Sequence, residues 1–223
     1  MAAPDLILQA RVRMCRLCPL SDTRNLAVPG WVGTAYDGKL ALLLEAPGAC
    51  EDGACKHTHT PAVGGKPLVG RSGELMDRLL RLAGLSRDVL FITNRVRCQP
   101  PRNRLDDHPE ALLACEHWTV EELKVYNPRV VVVMGKTAIK GVFPKFTSVT
   151  DMRGRVRTTG PEHRYGARTF VSSAHPAAAL REKSVFFGVA LDYVNKTKDL
   201  TFLMETLEGK ISSISIYKQF GLE

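Results

Sequence analysis

Arg129-Val130-Val131-Val132-Val133-Met134 is an apolar run of strand length that stops at Gly135. Continuous rather than alternating apolarity marks a strand buried on both faces, as in a parallel sheet covered by helices on each side. Residues 40–44, 89–93 and 168–172 have the same character, so four such strands are predicted. The stretches between them read as helices. Residues 71–83 place Leu75, Leu79 and Leu82 on one face and stop at Gly84, a glycine C-cap. Residues 109–126 repeat the pattern with Leu112, Leu113 and Leu123, and Asn127-Pro128 ends it. A short helix starts at residues 136–140, and residues 185–206 close the fold as one or two helices. Alternating strands and helices predict a three-layer α/β/α fold around a central four-stranded parallel sheet. No internal repeat, low-complexity tract or linker interrupts the chain, which predicts a single domain over residues 1–223.

In an open α/β sheet, ligands bind beyond the carboxyl ends of the strands. The loops that follow the four runs, at 45–52, 94–104, 135–137 and 173–181, should therefore converge on one site. Residues 50–65 form a long, polar, glycine-rich loop, expected to rim or lid that site.

Composition narrows the partner. The chain has 31 basic against 23 acidic residues, a net charge of +8, which favours a polyanion, with nucleic acid ahead of an anionic membrane. The first residues lack a basic segment followed by an apolar one, and no apolar run approaches the ~20 residues of a membrane span. A cytoplasmic, reducing setting and no membrane partner are expected. There, six cysteines point to metal binding before disulfides.

Cys15-Arg16-Leu17-Cys18 is a CxxC, and Cys98 and Cys115 form a wider pair around the Pro100-Pro101-Arg102-Asn103-Arg104 loop. Two sulfurs from a CxxC and two more thiolates complete a four-ligand set; zinc, a redox dithiol and an iron–sulfur cluster all use such spacing. Cys50 and Cys55 lie in the polar loop and are expected to be free thiols, with a disulfide or second metal site as minority alternatives.

Several segments together resemble the iron–sulfur uracil-DNA glycosylases, the fourth family of that superfamily. They are Cys15-x-x-Cys18; Glu45-Ala46-Pro47-Gly48-x-x-Glu51-Asp52; Gly65-Lys66-Pro67-Leu68-Val69-Gly70-Arg71-Ser72-Gly73; Asn94 through Cys98 to Arg104; Cys115; Val133-Met134-Gly135-Lys136-Thr137-Ala138; and His175-Pro176 through Leu180-Arg181. They occur in order from about residue 11 to about residue 190. The resemblance implies a [4Fe–4S] cluster on Cys15, Cys18, Cys98 and Cys115, pinning loops near a DNA surface. It implies a monomeric enzyme that releases a non-standard pyrimidine flipped out of DNA, without strand cleavage because no lysine stands where it could attack the sugar.

The residue types suit that chemistry. Hydrolysis of an N-glycosidic bond builds positive charge on the sugar and negative charge on the departing base. Glu45 or Glu51 can orient the attacking water and face the cationic sugar, as carboxylates do in glycoside hydrolysis; the family pattern favours Glu45, with Glu51 assisting. His175 can hydrogen-bond the base carbonyl and stabilise the anion. Gly48, Leu68 and Asn94 contribute to the base pocket, and the Asn94 amide offers a donor and an acceptor to a pyrimidine edge. Arg181 should grip phosphate and Leu180 wedge into the stack, with Arg102, Arg104, Arg153, Arg155 and Arg157 as further phosphate contacts.

Two features depart from the family. Uracil enzymes of this kind have Phe where this chain has Leu68, and residues 53–64 are longer than the usual link. Uracil is placed first as substrate. A bulky modified cytosine (hydroxymethylated or glucosylated) from phage DNA, removed by a defence enzyme, comes second. A catalytically silent DNA-binding module on the same fold is the alternative of another class.

Overall fold

A computed structural model describes residues 3–55, 64–82 and 85–180. In chain order the elements are α1 (Ala3–Met14), α2 (Leu20–Thr23), β1 (Trp31–Val32), β2 (Leu40–Leu44), α3 (Gly70–Leu82), β3 (Leu90–Asn94), α4 (Pro109–Tyr126), β4 (Val130–Met134), α5 (Lys136–Val142), α6 (Val149–Met152), β5 (Val156–Thr159), β6 (Arg168–Ser173) and α7 (Pro176–Ala179). The helical segment expected at 185–206, the cap at Gly84 and the phosphate contact Arg181 lie outside the described residues.

The expected sheet of four parallel strands is corrected to a mixed sheet of six, in the order β1-β3-β2-β4-β6-β5. β3, β2, β4 and β6 run parallel, while β1 and β5 add antiparallel edges. Neither edge carries an apolar run in the sequence. β1 is two residues long, and β5 is a half-exposed Val-Arg-Thr-Thr whose ladder is supplied by β6. A two-residue strand and a half-exposed one hold too few buried positions for continuous apolarity to reveal them.

The apolar runs fill both faces because successive side chains point to opposite sides of a strand. Leu40, Leu42 and Leu44 join Leu90, Ile92, Val130 and Val132 against Leu75, Met76, Leu79 and Leu80 of α3. Ala41 and Leu43 join Phe91, Val131, Val133 and Phe170 against Leu123 and Tyr126 of α4 and Ile139 and Val142 of α5. A third cluster packs α1 on α4 and contains Leu8, Val12, Val96 and Trp118 together with Cys98 and Cys115. Among the described residues, no helix is long and apolar enough to cross a membrane.

Behind the end of β3 the core is ionic. The Arg97 and Glu122 side chains are 1% and 2% exposed and pair at 2.8 Å. Glu122 also accepts the Gly30 N–H at 2.8 Å and the Thr93 hydroxyl at 2.5 Å, while Arg97 donates to the Asn94 carbonyl and, at 3.4 Å, to the Thr119 hydroxyl. Removing one member of such a pair leaves a buried charge without a counter-ion. Glu122→Ala should therefore cost about 3–5 kcal/mol. Urea unfolding should show a lower midpoint at unchanged slope; an unchanged midpoint would contradict the role given to the pair.

Candidate active site

The parallel register places the ends of the central strands at one level. Leu44 stands opposite Asn94, and Met134 opposite Ser173. The next residues of each chain segment, Glu45, Arg95, Gly135 and Ala174-His175, therefore emerge along one edge of the sheet. They open into a cleft of about 700 Å³ lined by Glu45, Gly48, Glu51, Leu68, Asn94 and His175. All six base-pocket and catalytic positions expected from the sequence thus meet in one cavity.

Glu45 leaves β2 half-buried, and its Oε1 accepts the Thr137 N–H at 2.6 Å. That amide belongs to the first turn of α5, where no carbonyl of the helix itself can pair with it. Gly135 makes the approach possible: its φ is +93°, and a Cβ there would stand 2.7 Å from the Glu45 Cδ. Glu51 is buried, and both of its oxygens are engaged, Oε2 by the Gly48 N–H at 2.9 Å and Oε1 by the Val69 N–H at 3.1 Å. It cross-braces the two loops that wall the cleft. Burial raises the Glu51 pKa above the ordinary glutamate value, with the backbone amides of Glu51 itself, Val69 and Gly48 and the charge of Arg87 opposing the rise.

Asn94 is 3% exposed at the end of β3, and its Nδ2 is buried without a hydrogen-bond partner. Orphaned buried donors are uncommon in folded proteins. Its backbone carbonyl is fixed by Arg97. His175 caps α7: its Nδ1 accepts the Ala177 N–H at 3.1 Å. A neutral imidazole that accepts at Nδ1 carries its proton at Nε2. Leu68 is buried at φ +56°, in the left-handed region, and its carbonyl accepts Arg87 Nη2 at 2.8 Å while Arg87 pairs with Asp77.

The outer positions are more scattered. Arg102 and Arg104 are exposed on the loop whose Pro100, Asn103 and Leu105 reach the cleft, and Arg104 pairs with Asp107 at 3.0 Å. Leu180 is 39% exposed beyond α7. Arg153 lines the cleft, whereas Arg157 turns away to donate to the Val142 carbonyl. Lys136 is the lysine of the cleft wall, and its ammonium pairs with Asp106 at 2.7 Å.

Cys50 and Cys55 are joined in a disulfide, which corrects the expectation of two free thiols. A turn explains the encounter: Asp52 N–H bonds Gly48 O and Ala54 N–H bonds Ala49 O, folding the segment back on itself. The Gly65 N–H then reaches Glu51 O at 2.8 Å, so the two ends of the long loop are tied together beside the cleft.

Cys15, Cys18, Cys98 and Cys115 are outside any disulfide and pack in one corner, between the end of α1, the start of α2 and α4. Burial raises the Cys98 thiol pKa, Arg24 pulls it down, and Cys18 and Cys15 are near enough to add to the rise. Burial likewise pushes Cys115 up to about 11, with Cys98 and Cys18 adding to it. Arg24 Nη1 donates to Cys98 Sγ at 2.9 Å and Trp118 Nε1 to Cys15 Sγ at 3.4 Å. Among the described residues, no group of three or more His, Cys, Asp or Glu side chains converges to hold a metal ion. A four-iron cube attaches each thiolate to a different iron and is tuned by hydrogen bonds to its sulfurs. Four cysteines around one apolar corner, with a guanidinium and an indole N–H aimed at sulfur, fit such an anionic cluster.

A family model described as the uracil DNA glycosylase superfamily matches residues 32–198. The chain belongs to that superfamily. It is 34% identical over 179 residues to a type-4 uracil-DNA glycosylase of Thermotoga maritima, covering 80% of this chain and 84% of that one. A type-4 uracil-DNA glycosylase of Saccharolobus solfataricus is 35% identical over 182 residues, covering 79% and 76%. A third, from Archaeoglobus fulgidus, is 33% identical over 174 residues, covering 76% and 79%. In this superfamily member the sequence pattern exposed the cleft-facing side chains and missed their supports: Arg87, Arg95, Arg97, Glu116 and Glu122. For Arg95 and Arg97 the available signal was Asn94-Arg95-Val96-Arg97-Cys98, in which two arginines alternate with Val96 and Cys98 directly after an apolar strand.

Burial sets the sign of a pH effect at Glu51. A carboxyl whose folded pKa lies above its unfolded value contributes fully below the unfolded value and loses that contribution as pH rises through the folded one. Wild type should lose stability relative to Glu51→Gln as pH is raised from the ordinary glutamate range toward neutrality. Urea midpoints of both proteins across that range check it, and a difference moving the other way would refute the burial argument.

Proposed function

We propose that this DNA glycosylase hydrolyses the N-glycosidic bond of uracil in DNA and releases the base without cleaving the strand. The observation that carries the reading is the unpartnered, buried Asn94 amide nitrogen, set in a cleft that also holds Glu45 and His175. A flipped uracil offers O4 as acceptor and N3–H as donor, complementary to the two ends of an asparagine amide. The cleft volume falls within the range of small-ligand sites, ample for a flipped nucleotide.

Glu45 orients a water toward C1′ and faces the cationic sugar. As the C1′–N bond breaks, its electron pair leaves with the base, and the Nε2–H of neutral His175 donates to the base oxygen that gathers the charge. Water adds at C1′ and passes its proton toward the Glu45 carboxylate. Glu51, with both oxygens on backbone amides, keeps the Gly48 and Val69 loops in place instead of acting on water. Arg102, Arg104, Arg153, Leu180 and Arg181 are assigned to the DNA strand beside the flipped nucleotide. The ion pair of Lys136 with Asp106 agrees with hydrolysis by water alone.

The same reading places a [4Fe–4S] cluster on Cys15, Cys18, Cys98 and Cys115. When bound, it supplies a covalent cross-link between the N-terminal segment and the 98–115 region, with Arg24 and Trp118 hydrogen-bonding its sulfur ligands. Anaerobically purified protein should be brown and contain about four iron and four sulfide per chain. Stoichiometric zinc without sulfide would remove this part of the reading.

One observation favours the second substrate class. Leu68 and Val69 wall both the main cleft and a neighbouring cavity of about 240 Å³ floored by Trp31 and Lys66. A leucine there leaves room that a phenylalanine ring would fill. Base release from uracil DNA and from DNA with bulky modified cytosines decides between them. For uracil, Glu45→Ala and His175→Ala should each lower single-turnover release by about 10²-fold or more with DNA affinity nearly unchanged, and Leu68→Phe should keep or raise it. Negligible uracil release, with clear release of a modified cytosine that Leu68→Phe abolishes, would overturn the uracil reading.

A further inference from the structure

Between the base reader Asn94 and the cysteine Cys98 stand two buried arginines, and Arg95 leads to the other side of the cleft. It is 7% exposed. Its Nη1 donates to the Thr137 carbonyl at 3.2 Å, and its Nη2 forms an ion pair with Glu116 Oε2. The other oxygen of Glu116 accepts the Tyr165 hydroxyl at 2.6 Å and Arg164 Nη1 at 3.2 Å. Gly141 leaves the space: a Cβ at that position would overlap the Arg95 guanidinium. On its opposite side, Thr137 gives its N–H to Glu45 Oε1 at 2.6 Å. Thr137 is thus held at its carbonyl by Arg95 and holds Glu45 by its amide.

We infer that Arg95 is a positioning residue for the Glu45 carboxylate, acting through Thr137 and anchored by Glu116 and Tyr165. The inference rests on the role proposed for Glu45. α5 is seven residues long, and a helix that short does not fix its own first turn. A planar guanidinium can serve a carboxylate and a carbonyl at once in fixed directions, which a lysine ammonium cannot reproduce. Arg95 therefore sets where the Thr137 amide points, and the amide sets where one Glu45 oxygen lies. The β5–β6 segment takes part at a distance, since Tyr165 and Arg164 orient the Glu116 carboxylate that orients Arg95.

Displacing a reacting group by about 1 Å can cost about 10²-fold in rate. Arg95→Met should slow single-turnover uracil release by about 10- to 100-fold while leaving DNA affinity within about twofold. Thr137→Pro removes the amide proton that Glu45 accepts, at the second residue of α5, whose N–H makes no bond within the helix, and should cause a loss of similar size. The double variant should be no slower than the slower single, because both changes break one chain of contacts. Tyr165→Phe should produce a smaller loss of the same kind, in rate and not in affinity, and takes the place of Arg95→Met in the cycle should that variant fail to fold. Multiplying losses in the double variant, a loss confined to affinity, or a wild-type rate in Arg95→Met or Tyr165→Phe would overturn the inference while Glu45→Ala stays slow. Full activity of Glu45→Ala would instead overturn the reading of Glu45, and the inference with it.

Discussion

The buried ion pair between Arg97 and Glu122 is the constraint on which the site rests. A guanidinium and a carboxylate taken out of water are tolerable only when further hydrogen bonds offset the lost hydration, and in this pair only the Arg97 Nε is left without one. The partners recruited here are the Asn94 carbonyl, the Thr93 hydroxyl, the Gly30 amide and the Thr119 hydroxyl. One pair therefore joins α4, the end of β3 and the segment leading to β1. Asn94 can hold an unpartnered amide in the cleft because its own backbone is fixed from behind.

The cysteine corner extends the same logic toward the N-terminus. Val28 N–H bonds the Arg97 carbonyl at 2.7 Å, and Arg24 reaches both the Cys15 carbonyl and Cys98 Sγ. Asp52 accepts the Asn25 and Leu26 amides at 2.9–3.1 Å, fastening the same N-terminal segment to the loop that carries Gly48 and Glu51. Cleft wall and cysteine corner are thus two ends of one hydrogen-bonded framework. A cluster bound at the corner would stiffen the cleft without touching a substrate.

A division of labour follows between the two flanking carboxylates. Glu45 has one oxygen on the Thr137 amide and is half-buried, so it faces the cavity. Glu51 is enclosed and has a backbone donor on each oxygen. The two glutamates stand six residues apart in the sequence, and burial and backbone partners leave one facing the cavity and enclose the other as a brace between loops.

The sequence by itself determined the four central strands, α4 to the residue and α3 to within one, because fully buried strands and long amphipathic helices write their environment into a local apolar pattern. It also determined which side chains meet in the cleft, since Asn94 ends a strand and Glu45 and His175 follow strands whose carboxyl ends must lie together. The edge strands β1 and β5 were not legible: their ladders come from β3 and β6, not from any periodicity of their own. Nor was the Cys50–Cys55 bond, which depends on a turn closed by backbone hydrogen bonds. Only the tertiary structure decided that Arg95 and Arg97 point inward to Glu116 and Glu122 on α4, about twenty residues away in the chain. An arginine in a loop is ordinarily solvated, and only a counter-ion delivered by another element makes its burial possible.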